Sequence, residues 1–339
     1  MSKKTNAIAS LRSNPTLALL VGILAVSLSA VVLSVFKIQQ NNSNIQRFLK
    51  ESDDLRSANY RLVDALRASM DGNELSFDEM NETLTDMTDL AGELNGAKNK
   101  QLLDAMPAQI ASVRDVWDKF KLNTETVYKN KATVLLVHDL AGRLSQTIPQ
   151  LQEEYDSIVQ NLIRNGAPAA QVAEARAQSW RAERIARNID KLLAGGDDAE
   201  AAADEFSADA LMFGQVLNGM LVGDREIGID RVFSPDVVQT LNDAAELFKF
   251  VTESSASIAA SKDVFAVTRQ AADNIKEVDS PALLQELSSI NGTVSELPEA
   301  RKWNLAFLIA AGVSLFVMIA IAVMQLRAGG SRLHVQESE

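Results

Sequence analysis

The chain has 339 residues, 47% of them hydrophobic, which is enough for two modest domains. Its 33 Lys+Arg against 45 Asp+Glu give a net charge of -12, and repulsion from phosphates excludes a long-lived complex with nucleic acid. Cysteine is absent, so no disulfide framework or thiolate metal site exists, and either redox compartment suits the chain.

The first element is an uncharged apolar run from Thr16 to Phe36, preceded by Lys3, Lys4 and Arg12. A basic flank of this kind stays in the cytoplasm. The run exceeds the apolar core of a cleavable signal peptide, about 7–15 residues, so an uncleaved anchor is favoured over a leader. Neither Gly nor Pro occurs between Ile23 and Asp71, so the anchor continues as a helix beyond the bilayer, with Ile45, Leu49, Leu55, Leu62, Leu66 and Met70 on its apolar face. Asp71-Gly72-Asn73 ends it.

Ser76 with Glu79 three residues on reads as a capping box for a second helix. Along that helix Phe77, Met80, Leu84, Met87, Ala91 and Leu94 form a seam that must be buried, beside a stripe of Glu79, Glu82, Asp86, Asp89 and Glu93 that reads as a solvated face. Asn95-Gly96 closes the helix. After Pro107 one long helical pattern passes Ile110, Val113, Trp117, Phe120, Val127, Leu135, Leu144 and Leu151 to Ile163, with a kink expected near Ser145 because of Gly142 and Pro149. A fourth helix spans 169–193, and Asp197 with Glu200 reads as the cap of a fifth, which buries Phe206, Phe213, Leu217 and Leu221. Residues 222–233 are irregular. Ser234-Pro235 starts a last long helix through Leu241, Phe250, Phe265 and Ile275, punctuated by Ser280-Pro281 and Pro298. A second apolar run, Asn304 to Leu326, lies between Lys302-Trp303 and Arg327, which fits a span that ends in the cytoplasm.

The sequence resembles itself at an offset of 123: Arg61, Leu62, Leu66, Leu90, Leu94, Asn95 and Gly96 fall on Arg184, Ile185, Ile189, Phe213, Leu217, Asn218 and Gly219. Two copies of one helical module follow. The expected fold is all-α and membrane-anchored, with two stacked four-helix-bundle modules between two transmembrane helices. The boundaries are a cytoplasmic N-terminus to residue 15, a span at 16–36, a first module at 37–166, a second at 167–302 with the return helix, a span at 303–326 and a cytoplasmic tail at 327–339. Residues 37–302 are then exported.

The stretch from Trp180 to Gly196, followed by Phe206 and by Phe213-Gly214-Gln215-Val216-Leu217-Asn218-Gly219-Met220-Leu221, resembles the sensor region of the PilJ family of type IV pilus methyl-accepting chemotaxis transducers. The resemblance covers roughly residues 1 to 326. It implies a bacterial inner-membrane location with a periplasmic segment that senses an extracellular cue, a homodimer, and control of twitching motility through adaptor and kinase. It also implies a HAMP unit and a methyl-accepting hairpin, for which residues 327–339 are too short. The expected function is therefore the sensor and transmembrane module of such a receptor, reaching adaptor and kinase through a full-length partner. The alternative is an envelope scaffold that associates with pilus components without signalling.

Catalysis is not expected, because converging nucleophile and base groups are lacking, and neither a cofactor nor a metal is expected. His138, among Val134, Leu135, Val137 and Ala141, reads as a bundle histidine. Arginine forks suit small anions, so Arg61, Arg181, Arg184 and Arg187 are the candidate ligand residues, set against the ordinary alternative of salt bridges to the next helix. A pilus subunit or a small periplasmic anion is the expected partner, and residues 222–233 are a second candidate contact surface.

Overall fold

The computed structural model describes residues 15–196, 198–295 and 298–336, with side chains described for 15–196, 198–294, 302–326. The expected Asp197 cap and the charged N-terminus lie outside the described residues. Ten α-helices follow in order among them: α1 Pro15–Met70, α2 Glu74–Leu94, α3 Lys100–Asp104, α4 Pro107–Lys129, α5 Lys131–Arg164, α6 Ala169–Ala194, α7 Ala199–Val222, α8 Pro235–Asn274, α9 Ser280–Ser295 and α10 Pro298–Gln336. A π-helical turn, Ile275–Asp279, joins α8 to α9 without a break. The fold is all-α, and the described strand-like pairing is a single antiparallel bridge, Asp224 with Ile229.

Three local expectations change. The cap of α2 is Asn73, whose Oδ1 accepts the Leu75 N–H at 3.1 Å, while Ser76 is buried inside the helix. The long third helix breaks at Asn130, a position without Gly or Pro, and its second part, α5, stays helical through Pro149. Ser280-Pro281 does not interrupt the last helix. Pro281 has no N–H to give and its ring crowds the carbonyl four residues back, and the wider π turn just before it absorbs that fault.

The chain divides into two compact units. One holds the stretches up to Leu55, Leu90–Ser112 and from Gln285 onward. It contains the two helices long and apolar enough to cross a membrane, with windows of mean hydropathy 2.7 in each. Most of their apolar side chains are exposed, including Val26, Phe36 and Phe316, while Ser27 and Ser314 are buried and share a 2.8 Å hydrogen bond. That pattern suits lipid on the outside and a polar contact between helices within. The turn after α2 is tied to α1 by buried Asn99, which donates to Glu51 at 2.7 Å.

The other unit holds Arg56–Asp89 and Val113–Leu284. Within it α5 packs on α6, α6 on α7, α7 on α8 and α8 on α5, a closed ring of four helices. Its core stacks Phe213 face-on against Phe248 at 4.6 Å and edge-on against Tyr155 at 5.2 Å. Fully buried Gln178 donates to the Phe213 carbonyl at 2.8 Å and lies 3.4 Å from the Tyr155 hydroxyl. Burial raises the Tyr155 pKa, so the phenol stays protonated. The rest of this unit buries Leu62, Leu66, Phe77, Met80, Met87, Phe120 and Ile275, the seams expected of α1, α2, α4 and the last long helix.

Candidate functional site

The four candidate arginines do not converge. Arg61 on α1 lies 3.9 Å from Asp86, both exposed. Arg184 on α6 grips Asp209 through Nε and Nη2, and its guanidinium also stacks over Trp180 at 4.7 Å. Arg181 donates to the Gln178 Oε1 at 2.8 Å, and Arg187 sits 3.9 Å from Glu183 on its own helix. Asp86 and Asp209 stand at the same offset of 123 as Arg61 and Arg184, so the sequence repeat carries one Arg–Asp link between neighbouring helices in each copy. The link is solvated in the first copy, and in the second its carboxylate is 4% exposed.

The repeat also equates Gly72 with Gly195, and these two glycines organise a different place. Both have positive φ, +86° and +77°, which only glycine adopts without strain. A Cβ on Gly72 would stand 2.8 Å from the His138 ring, and one on Gly195 would stand 2.6 Å from the Arg269 Nε. The turns after α1 and after α6 therefore each press on one cationic or titratable side chain, from α5 and α8 respectively.

His138 donates its Nε2 proton to the Met70 carbonyl at 2.8 Å, at the end of α1. Burial lowers its pKa, and Arg269 adds to this, against the opposing pull of the Met70 carbonyl and Asp71. Arg269 donates from Nη2 to the Ala194 carbonyl at 2.7 Å, at the C-terminal end of α6 where the helix dipole favours a cation. Its Nε is buried with no hydrogen-bond partner among the described residues.

Arg269 and Asp273 form the wall between two cavities. The larger, of about 450 Å³, lies between the α6–α7 turn and α8 and reaches from Lys262 to Asn274. The smaller, of about 260 Å³, lies against the end of α1, with Arg67, Asp71 and Lys276 at its edge. The periodicity of each helix is visible in the sequence, but no motif marks Arg269. The signal available was the pair of repeat-related glycine turns.

The stretch after α7 is compact. Asp224 and Ile229 exchange two backbone hydrogen bonds of 2.8 Å, and the Val232 N–H donates to the Met220 carbonyl at 2.8 Å. Val232 is buried and Phe233 is 80% exposed. An exposed aromatic on a braced loop suits contact with another molecule.

No protein-family model matches the chain. It is 34% identical to the protein PilJ of Pseudomonas aeruginosa over 340 aligned positions, 98% of this chain and 50% of that protein. The chain belongs to the PilJ family. AlkN of Alcanivorax borkumensis, described as a methyl-accepting chemotaxis protein, is 41% identical over 198 residues, 58% of this chain and 29% of that protein. The chain thus spans about half the length of PilJ and less of AlkN. The residues that carry the resemblance, Trp180, Ile185, Ile189, Phe206, Phe213 and Leu217, lie on α6 and α7, and all but Trp180 are buried in the four-helix ring.

Proposed function

We propose that the chain is the periplasmic sensor and transmembrane module of a type IV pilus chemoreceptor in the bacterial inner membrane. The likeness to PilJ along 98% of the chain carries this reading. Two apolar helices at opposite ends of the sequence support a segment exported between them, with both termini in the cytoplasm. In this reading residues 37–166 and 167–302 are two sensory modules, the chain works as a homodimer, and a cue moves the last long helix and its span by a small translation or rotation. Arg61 and Arg187, with exposed guanidinium groups and only 3.9 Å ion pairs, are the members of the arginine set best placed for an anion or an acidic pilus subunit.

The test is expression of the chain in Pseudomonas aeruginosa cells that carry their own PilJ. The expected result is a changed twitching zone with surface pili retained. Loss of the surface pili themselves would overturn signalling in favour of a scaffold.

A further inference from the structure

We infer that the larger cavity, at the α6–α7 turn, binds a small zwitterion of the amino-acid class. Its volume of about 450 Å³ is that of a small-molecule site. Charges of both signs face it. Arg269 and Lys262 supply cations two helical turns apart on one face of α8, Lys262 also paired with Asp204 at 2.6 Å, while Glu200 and Asp273 supply carboxylates, Asp273 lying 3.8 Å from Lys276.

Each single-charge ligand meets an obstacle there. A simple anion attracted to Arg269 is repelled by Glu200 and Asp273, and a simple cation meets Lys262 and Arg269. An uncharged apolar molecule would strip water from four charged groups and give nothing in return. A zwitterion answers both signs at once. Its carboxylate is directed to the Arg269 guanidinium, whose bond to Ala194 occupies Nη2 alone. The ammonium is directed to Asp273 and Glu200, with the Gln270 and Asn274 amides beside them, and buried Leu192 and Phe265 supply the apolar floor.

The place suits a cue. The cavity ends at Asn274, and the π turn begins at Ile275. A ligand held against this end of α8 therefore acts on the segment directly before the one irregularity in that helix among the described residues. Binding stands by itself, and its use as a signal rests on the sensor reading above.

The test is thermal melting and titration calorimetry of the full chain in detergent, with each common L-amino acid, and with acetate, nitrate and methylammonium as single-charge probes. At least one amino acid is expected to raise Tm by several degrees and to titrate as a single site, while each single-charge probe leaves Tm unchanged. Arg269→Gln and Ala266→Trp, the latter on an exposed residue of the cavity wall, are each expected to weaken binding at least tenfold. No shift with any amino acid, an undiminished shift in A266W, or the same shift with acetate or nitrate alone overturns the proposal. The twitching test above is independent of all three outcomes, so failure here leaves the sensor reading standing.

Discussion

Asp209 is a consequential charge among the described residues because its carboxylate is nearly sealed from water and is gripped by Arg184. Removing that partner leaves a buried charge uncompensated, which costs about 3–5 kcal/mol in a fully buried pair and less here, about 2–3 kcal/mol, because Arg184 is itself partly solvated. Arg184→Ala is therefore expected to lower the unfolding midpoint by several degrees, and the double change with Asp209→Ala to recover most of the loss. Arg61→Ala, its counterpart at the solvated link, is expected to shift the midpoint by less than a degree or two. Calorimetric melts of the three variants decide the matter. His138 adds a pH dependence with a definite sign. Its pKa is lower folded than unfolded, so the unfolded chain takes up the proton first as pH falls below the ordinary 6.5, and stability is lost over that window. The wild-type melting midpoint is expected to drop as pH falls below about 6.5, and that of His138→Gln to drop less.

The π turn at Ile275–Asp279 is the element most open to test. A π turn carries one residue more than the α turn it replaces, so deleting a residue inside it restores an α-helix with both flanks in register. Deletion of Val278, 59% exposed within the turn, is expected to leave helicity and Tm nearly unchanged or slightly higher. Deletion of Val267, 56% exposed in regular α8, rotates all that follows by about 100° relative to what precedes it and is expected to lower Tm sharply. Equal losses in the two melts would show that the turn holds no spare residue. The turn is also where polar groups enter the core: Asn123 donates to Asp279 at 2.6 Å and Asn59 to Ser280 at 2.7 Å, and both Asp279 and Ser280 are buried. Unmet polar capacity remains at the Asn59 Oδ1, which makes this layer a costly one to disturb. The two apolar helices give a simpler check. With no native cysteine, the pair Ser27→Cys and Ser314→Cys is expected to oxidise to an intramolecular disulfide, seen as a gel shift, whereas Val26→Cys with Ser314→Cys is not, because Val26 faces outward.

For the whole molecule, the proposed topology is the quantity to measure. Cysteines placed one at a time at Leu122, Phe233 and Ser338 report it cleanly in a chain without cysteine. Leu122 and Phe233 are exposed, and both are expected to react with an impermeant maleimide in intact spheroplasts. The Ser338 position is expected to react only after the membrane is opened. The reverse pattern would place the sensory segment in the cytoplasm and remove the basis for an extracellular cue.

How much of this was legible depended on the range of each interaction. Phe77, Met80, Leu84 and Met87 announced a buried face because helical spacing is a local property, and each is buried. The repeat was legible for the same reason, and it extends unannounced to Asp86 with Asp209 and Gly72 with Gly195. Local rules misjudged three places: Asn73 displaced Ser76 as the cap, Asn130 broke a helix without a breaker residue, and Pro281 was absorbed by a π turn. At the cap two good candidates competed, since Asn and Ser cap equally well, and at the proline the π turn offset a preference of about 3 kcal/mol. The amino-acid sequence by itself determined an all-helical chain with two lipid-suited helices, a repeat at an offset of 123 and a net acidic charge, since periodicity, apolar run length and composition need no partner. Only the tertiary structure decided that Arg184 is spent on Asp209 while Arg269 lines a cavity, because those fates depend on which helices come together across tens to hundreds of residues.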